Sequence, residues 1–132
     1  MLKYMLDTNI CIYVIKRRPL EALAKFNENA GALCISSITM AELYHGAEKS
    51  EQRARNLTIV EDFISRLEVL SYGEKAASHY GEIRADLEKK GTIIGVNDLH
   101  IAAHARSEAL ILVSNNLKEF ERVEGLRSCN WV

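Results

Sequence analysis

A chain of 132 residues, 48% hydrophobic and 27% charged, has the make-up of one ordinary globular domain, residues 1–132, and not of a disordered or fibrous segment. Seventeen basic against 18 acidic residues leave a formal charge of −1, which excludes a general polyanion binder driven by net charge. If three acids are spent as metal ligands, however, the remaining 17 against 15 give +2, so local basicity survives.

Cys11, Cys34 and Cys129 are odd in number and far apart, which excludes a disulfide framework and points to a reduced, cytoplasmic protein. The charges of Lys3 and Asp7 leave no room for the apolar core of a signal peptide. The longest unbroken apolar stretch, Ala109 to Val113, falls far short of the ~20 residues of a membrane span, so no membrane association is expected.

In chain order, a strand is predicted at Leu2 to Leu6, followed by helices over Asn9 to Lys16 and Pro19 to Asn29. Pro19 is placed in the first turn of its helix, where its missing N–H costs nothing. A second strand at Leu33 to Ile35 leads into helices over Ser37 to Lys49 and Gln52 to Leu67. The latter carries an apolar stripe of Leu57, Val60, Phe63, Ile64 and Leu67. After a strand at Val69 to Leu70 comes a helix over Glu74 to Lys90, with its stripe at Ala76, Tyr80, Ile83 and Leu87 and a stop at Gly91. A helix over Asp98 to Ser107 and a strand at Leu110 to Val113 follow. Short apolar runs alternating with helices predict an α/β fold, a central, mostly parallel sheet between layers of helices.

Three carboxylates fall where such a fold would gather them. Asp7 follows the first strand, Glu42 lies in the helix after the second, and Asp98 opens the helix before the last. Open parallel sheets bind ligands outside the carboxyl ends of their strands, and Ser114, Asn115 and Asn116 would add a polar floor there, with Asn9 beside Asp7. Each acid also has a plain structural reading, because helix N-termini attract carboxylates. Asp7 can cap its helix, Thr39 to Glu42 matches a capping box, and Asn97-Asp98 matches a cap followed by a first-turn acid. Their joint position at one edge favours the functional reading. Clustered carboxylates need cations, and oxygen ligands suit Mg2+ or Mn2+ better than zinc. Such ions activate water and support phosphodiester hydrolysis without a covalent nucleophile.

Rival signals are weaker. His100 and His104 stand four apart on one helix, but the glutamate of HExxH is missing. Asp7-Thr8-Asn9 lacks the second acid of a haloacid-dehalogenase-like phosphatase, and a receiver-like domain would need adjacent acids and a late lysine. No phosphate-binding glycine loop or serine elbow occurs.

Four blocks now carry a resemblance: MLDTNICIY, ISSITMAELYHGAEKS, IRADLEKKGTIIGVNDLHIAAHA and ILVSNNLKEFERVEGL. In that order and spacing the chain resembles the PIN-domain ribonucleases, and among them the VapC-type toxins of bacterial toxin–antitoxin pairs. The resemblance implies a PIN fold and makes Asp7, Glu42 and Asp98 metal-binding catalytic acids. The family's late motif, Thr or Ser, any residue, then Asp, reads Ser114-Asn115-Asn116 here, so an amide replaces the fourth acid, with Glu119 near enough to help through water. The resemblance further implies a homodimer, a VapB-like antitoxin whose tail fills the acidic pocket, operator DNA bound only through that antitoxin, and a structured RNA substrate, often tRNA in the anticodon region. A groove for the antitoxin is expected beside the helices from Asn9 and Ser37, with Tyr13, Met40, Leu43 and Tyr44 as apolar anchors. The competing reading is an RNA-binding or RNA-processing PIN domain outside such a pair.

Overall fold

The computed structural model describes residues Met1–Val132. Its elements run β1 (Tyr4–Leu6), α1 (Thr8–Lys16), α2 (Leu20–Glu28), β2 (Leu33–Ser36), α3 (Ser37–Glu48), α4 (Arg53–Ile64), β3 (Glu68–Leu70), α5 (Glu74–Lys90), α6 (Val96–Ser107), β4 (Ile111–Val113), α7 (Leu117–Phe120) and β5 (Ser128–Cys129). The strands form one sheet in the order β3-β2-β1-β4-β5, and every neighbouring pair is parallel. The chain therefore builds outward from β1 on one side, returns, and continues from β4 on the other. That reversal between β1 and β4 is the place where a crevice opens beyond the strand ends. Leu6 pairs with Val113 there, so Asp7 and Ser114 leave the sheet side by side.

The two-residue period of a strand divides the core into two layers. Met5, Cys34 and Leu112 face α5 and α6, where Ile83, Leu87, Leu99 and Ala102 cover them. Leu6, Ile35 and Val113 face the opposite way, against Ile10 and Val14 of α1, Phe26 of α2, Leu43 of α3 and Phe63 of α4. Each fully buried aliphatic side chain contributes about 1.5–3 kcal/mol, against about 1 kcal/mol for a helix cap. Packing therefore decides where the helices lie, and the caps adjust. No helix is long and apolar enough to cross a membrane.

Several local expectations change. The capping box at Thr39 is not used: Ser36 caps α3, its hydroxyl accepting from Ile38 N–H, and Thr39 is buried one turn inside the helix. Gly95 stands at the N-cap of α6, so Asn97 and Asp98 both lie in its first turn and neither caps it. Pro19 sits at the N-cap of α2, one residue before the expected place. Gly91 ends α5 as expected, in the left-handed region at φ 67°, with Thr92 N–H reaching back to the Leu87 carbonyl. The helix α7 and strand β5 were not foreseen, because four and two residues are too short to display a period.

Candidate functional site

Asp7 follows β1 directly, is 4% exposed, and caps α1 by accepting a hydrogen bond from Ile10 N–H at 3.0 Å. Its structural and functional readings are thus compatible, since one carboxylate oxygen satisfies the helix while the group remains at the crevice. Ser114, fully buried at the end of β4, accepts from Asn116 N–H at 2.9 Å and presents its own hydroxyl to Asp7. Burial pushes the Asp7 carboxyl above its ordinary range; the Ser114 and Ile10 hydrogen bonds oppose this, and the Glu42 charge adds to it.

Asp98, in the first turn of α6, is raised further, to about 6. Burial is the leading cause, followed by the charges of Glu119, Asp7 and Glu42. Four carboxylates from four elements therefore sense one another at the strand ends. Glu119, from α7, acts on Asp98 more strongly than either of the other two, so a fourth acid is present although Asn116 is an amide. The offset of three residues is one turn of α7, a displacement invisible until that helix is known.

Glu42 projects from α3 and is held at both oxygens. Thr8 Oγ1 donates to Oε1 at 2.6 Å, and Asn97 Nδ2 donates to Oε2 at 3.1 Å. Sequence reasoning passed over both donors. The signal available was their position, each being the chain neighbour of another acid of the cluster, Asp7 or Asp98.

The other site candidates divide. Asn116 lies at the N-cap of α7 with its side chain unused by the helix, next to Ser114. Asn115 turns away from the acids and donates to the Tyr13 hydroxyl at 2.8 Å. Asn9 is exposed on the first turn of α1. His104 is buried and paired with the Ser36 hydroxyl at 2.7 Å, while His100 meets the Tyr72 hydroxyl at 2.8 Å and stacks on Tyr80. Both imidazoles belong to a packed aromatic cluster, and burial lowers their basicity.

The donor set at the crevice is entirely hard oxygen, which fits Mg2+ or Mn2+ by ligand chemistry. Cys11 lies beneath it, but burial and the Asp7 charge raise its pKa well above the ordinary value and keep it a thiol. No three acidic, imidazole or thiol side chains are drawn in close enough to ligate one ion together. Like charges hold one another apart.

A cavity of about 460 Å³ opens beside Glu42, between α1, α3 and α4, where the partner groove was expected. Of the four proposed anchors only Leu43 lines it, as a 95%-buried floor; Ile12, Ile15, Ile59 and Val60 make the walls. α4 closes its third side with Ile59 and Val60, opposite Ile12 and Ile15 of α1. Tyr13, Met40 and Tyr44 are half-buried and pack on the same core layer. A second cavity of about 600 Å³ continues it past the shared residues Ile15 and Ile59 toward Arg17 and Arg66.

A PIN domain model matches residues 4–126. The chain is 69% identical over 132 residues, covering all of both chains, to a protein of Haemophilus influenzae named ribonuclease VapC2. It is 54% identical over 131 residues, 99% of each chain, to the tRNA(fMet)-specific endonuclease VapC of Shigella flexneri. Its fold superposes with a TM-score of 0.96, at 55% identity and full coverage of both chains, on a chain in the crystal structure of DNA-bound VapBC from Salmonella typhimurium. With a parallel sheet that brings four acids to its switch point, and with matches of this extent, the chain belongs to the PIN-domain family and, within it, to the VapC ribonucleases.

Proposed function

We propose that this chain is the toxin of a toxin–antitoxin pair, a Mg2+- or Mn2+-dependent endoribonuclease that cuts tRNA in the anticodon region and so stops translation. The observation that carries the reading is the cluster of Asp7, Glu42, Asp98 and Glu119 at the ends of β1 and β4. The name of the Shigella relative, specific for tRNA(fMet), supports the initiator tRNA as substrate.

Asp7, Glu42 and Asp98 would hold the cation, with Glu119 and Asn116 at the margin. A bound ion supplies a polarised phosphate and an acidified water. The protein's own part is orientation. Ile10 N–H and Ser114 fix Asp7, Thr8 and Asn97 fix Glu42, and Asp98 joins them from the first turn of α6. Asn116, whose amide would favour an RNA-binding domain without chemistry, is offset by the charge of Glu119.

The partner in this reading is a VapB-like antitoxin, bound along the paired cavities that begin at Glu42, the first mostly apolar and the second half polar. The toxin forms a homodimer and, with the antitoxin, a hetero-oligomer in the cytoplasm. With a net charge of −1, operator DNA is contacted through the antitoxin. The deciding experiment incubates purified protein with total tRNA and maps the cuts. Cleavage that requires Mg2+ or Mn2+, stops in EDTA and is absent in Asp98→Asn is expected. Undiminished cleavage in chelator with negligible metal content would refute the metal-dependent mechanism.

A further inference from the structure

We infer that Thr8 and Asn97 are positioning residues, which hold the Glu42 carboxylate at the crevice it shares with Asp7 and Asp98, so that it is already oriented when a cation draws the three acids together. The inference rests on the metal-dependent reading above and names the residues that make it work.

Both side chains have local uses that they forgo. Thr8 opens α1, but the cap of that helix is Asp7, and the Thr8 hydroxyl reaches instead across 34 residues to Glu42 Oε1 at 2.6 Å. Asn is among the preferred capping residues, yet α6 starts from Gly95 with no side-chain cap, and Asn97 spans 55 residues to Glu42 Oε2 at 3.1 Å. An ionised carboxylate only accepts, so the hydroxyl and the amide nitrogen are the donors. The 2.6 Å separation lies in the range of charge-assisted O–H···O bonds.

The placement gives the pair its meaning. Thr8 is covalently next to Asp7 and Asn97 next to Asp98, so the third acid is tied to the backbone neighbours of the other two. A shift of α1, α3 or α6 would be felt at Glu42 at once. Each carboxylate oxygen has two lone pairs, so a donor on each leaves one per oxygen directed at a ligand. Without the donors, Glu42 would rotate away from Asp7 and Asp98 to relieve repulsion.

The test measures Mn2+ affinity by calorimetry and by electron paramagnetic resonance of the free ion, on wild type, Thr8→Val, Thr8→Ser and Asn97→Ala. Removing a residue that orients a metal ligand costs about tenfold or more in affinity, which is the loss expected for Thr8→Val and for Asn97→Ala. Thr8→Ser keeps the hydroxyl and should bind within about twofold of wild type by the same logic. On RNA, kcat should fall with the metal affinity while KM changes little. Asn97 is exposed, so its variant keeps the fold even if Thr8→Val does not. Wild-type Mn2+ affinity in folded Thr8→Val and Asn97→Ala, with only thermal stability reduced, would make the pair mere struts and overturn the inference. Absence of Mn2+ binding by wild type would overturn the metal-dependent reading and the inference with it.

Discussion

Replacing Asp98 by Asn should stabilise the metal-free protein, and the size of the effect follows from the site. Burial and the charges of Glu119, Asp7 and Glu42 raise the Asp98 carboxyl from 3.8 to about 6. A shift of about two units, at 1.36 kcal/mol each, sets a ceiling of about 3 kcal/mol on the cost of keeping it ionised in the folded state. The group is half-buried, so solvent screening reduces this to about 1.5 kcal/mol. With an unfolding entropy of about 2.1 cal/mol/K per residue, that gain raises the melting temperature by about 5 °C.

The pH dependence has a definite sign. The folded pKa lies above the unfolded one, so between them the native state binds more protons than the unfolded state, and wild-type stability falls as pH rises from about 4 to about 6. The advantage of the Asn variant should therefore be absent near pH 4, grow through that window and stay level above it. Thermal unfolding in EDTA, monitored by circular dichroism from pH 4 to 8, measures it. Adding Mg2+ should stabilise wild type alone, by about 1.4 kcal/mol at a free concentration tenfold above Kd, which cancels most of the difference. A folded Asp98→Asn protein no more stable than wild type near pH 7.5 in EDTA, or one whose advantage ignores pH, would refute the electrostatic account.

Three further outcomes are expected. Glu119→Gln removes the largest charge effect on Asp98, so in that background the Asp98→Asn advantage should be smaller and level off at a lower pH. Thr39 Oγ1 is buried without a hydrogen-bond partner, and Thr39→Val, nearly the same in shape, should raise stability by about 1 kcal/mol in urea unfolding, with RNA cleavage unchanged. In the proposed antitoxin complex, a tail arginine would fork onto the acids at Asp7, Glu42 and Asp98 while apolar contacts fill the cavity beside them. Its replacement by alanine should then weaken nuclease inhibition more than complex formation, and equal inhibition at saturation would show that the block is steric.

Four of the five strands and six long helices were legible in the sequence, the strands as short apolar runs and the helices by their period. The alternation of Met5 and Leu6, or of Leu112 and Val113, translates directly into the two core layers. The positions of Asp7 and Asp98 were legible too, since each adjoins an element whose direction is fixed by parallel pairing. What escaped was the tertiary contact made by short or exposed polar segments. Glu119 rides on a single-turn helix, Thr8 and Asn97 look like helix-opening residues, and α4 closes a groove whose third wall no local pattern announces. The supposed capping box shows the same limit. Thr39 and Glu42 have the right spacing, but β2 delivers the chain to α3 three residues earlier, so Ser36 takes the cap and Glu42 is released to the crevice.

The three acids that the sequence presents as equals are therefore unequal in the fold. Asp7 has a helix N–H and the Ser114 hydroxyl to oppose the effect of its burial, and Glu42 is held in place by Thr8 and Asn97. For Asp98 the leading influences are burial and the three neighbouring charges, all of which disfavour ionisation. The cause lies in the helix starts. α1 spends Asp7 on its own cap and thereby supports that charge, whereas α6 begins at Gly95 and leaves Asp98 without such a bond. In the proposed metal-dependent site, the carboxylate most disfavoured as an anion gains most from a cation's arrival. Asp98 is accordingly where metal binding, pH and stability are most tightly linked, and where one substitution should separate them most cleanly.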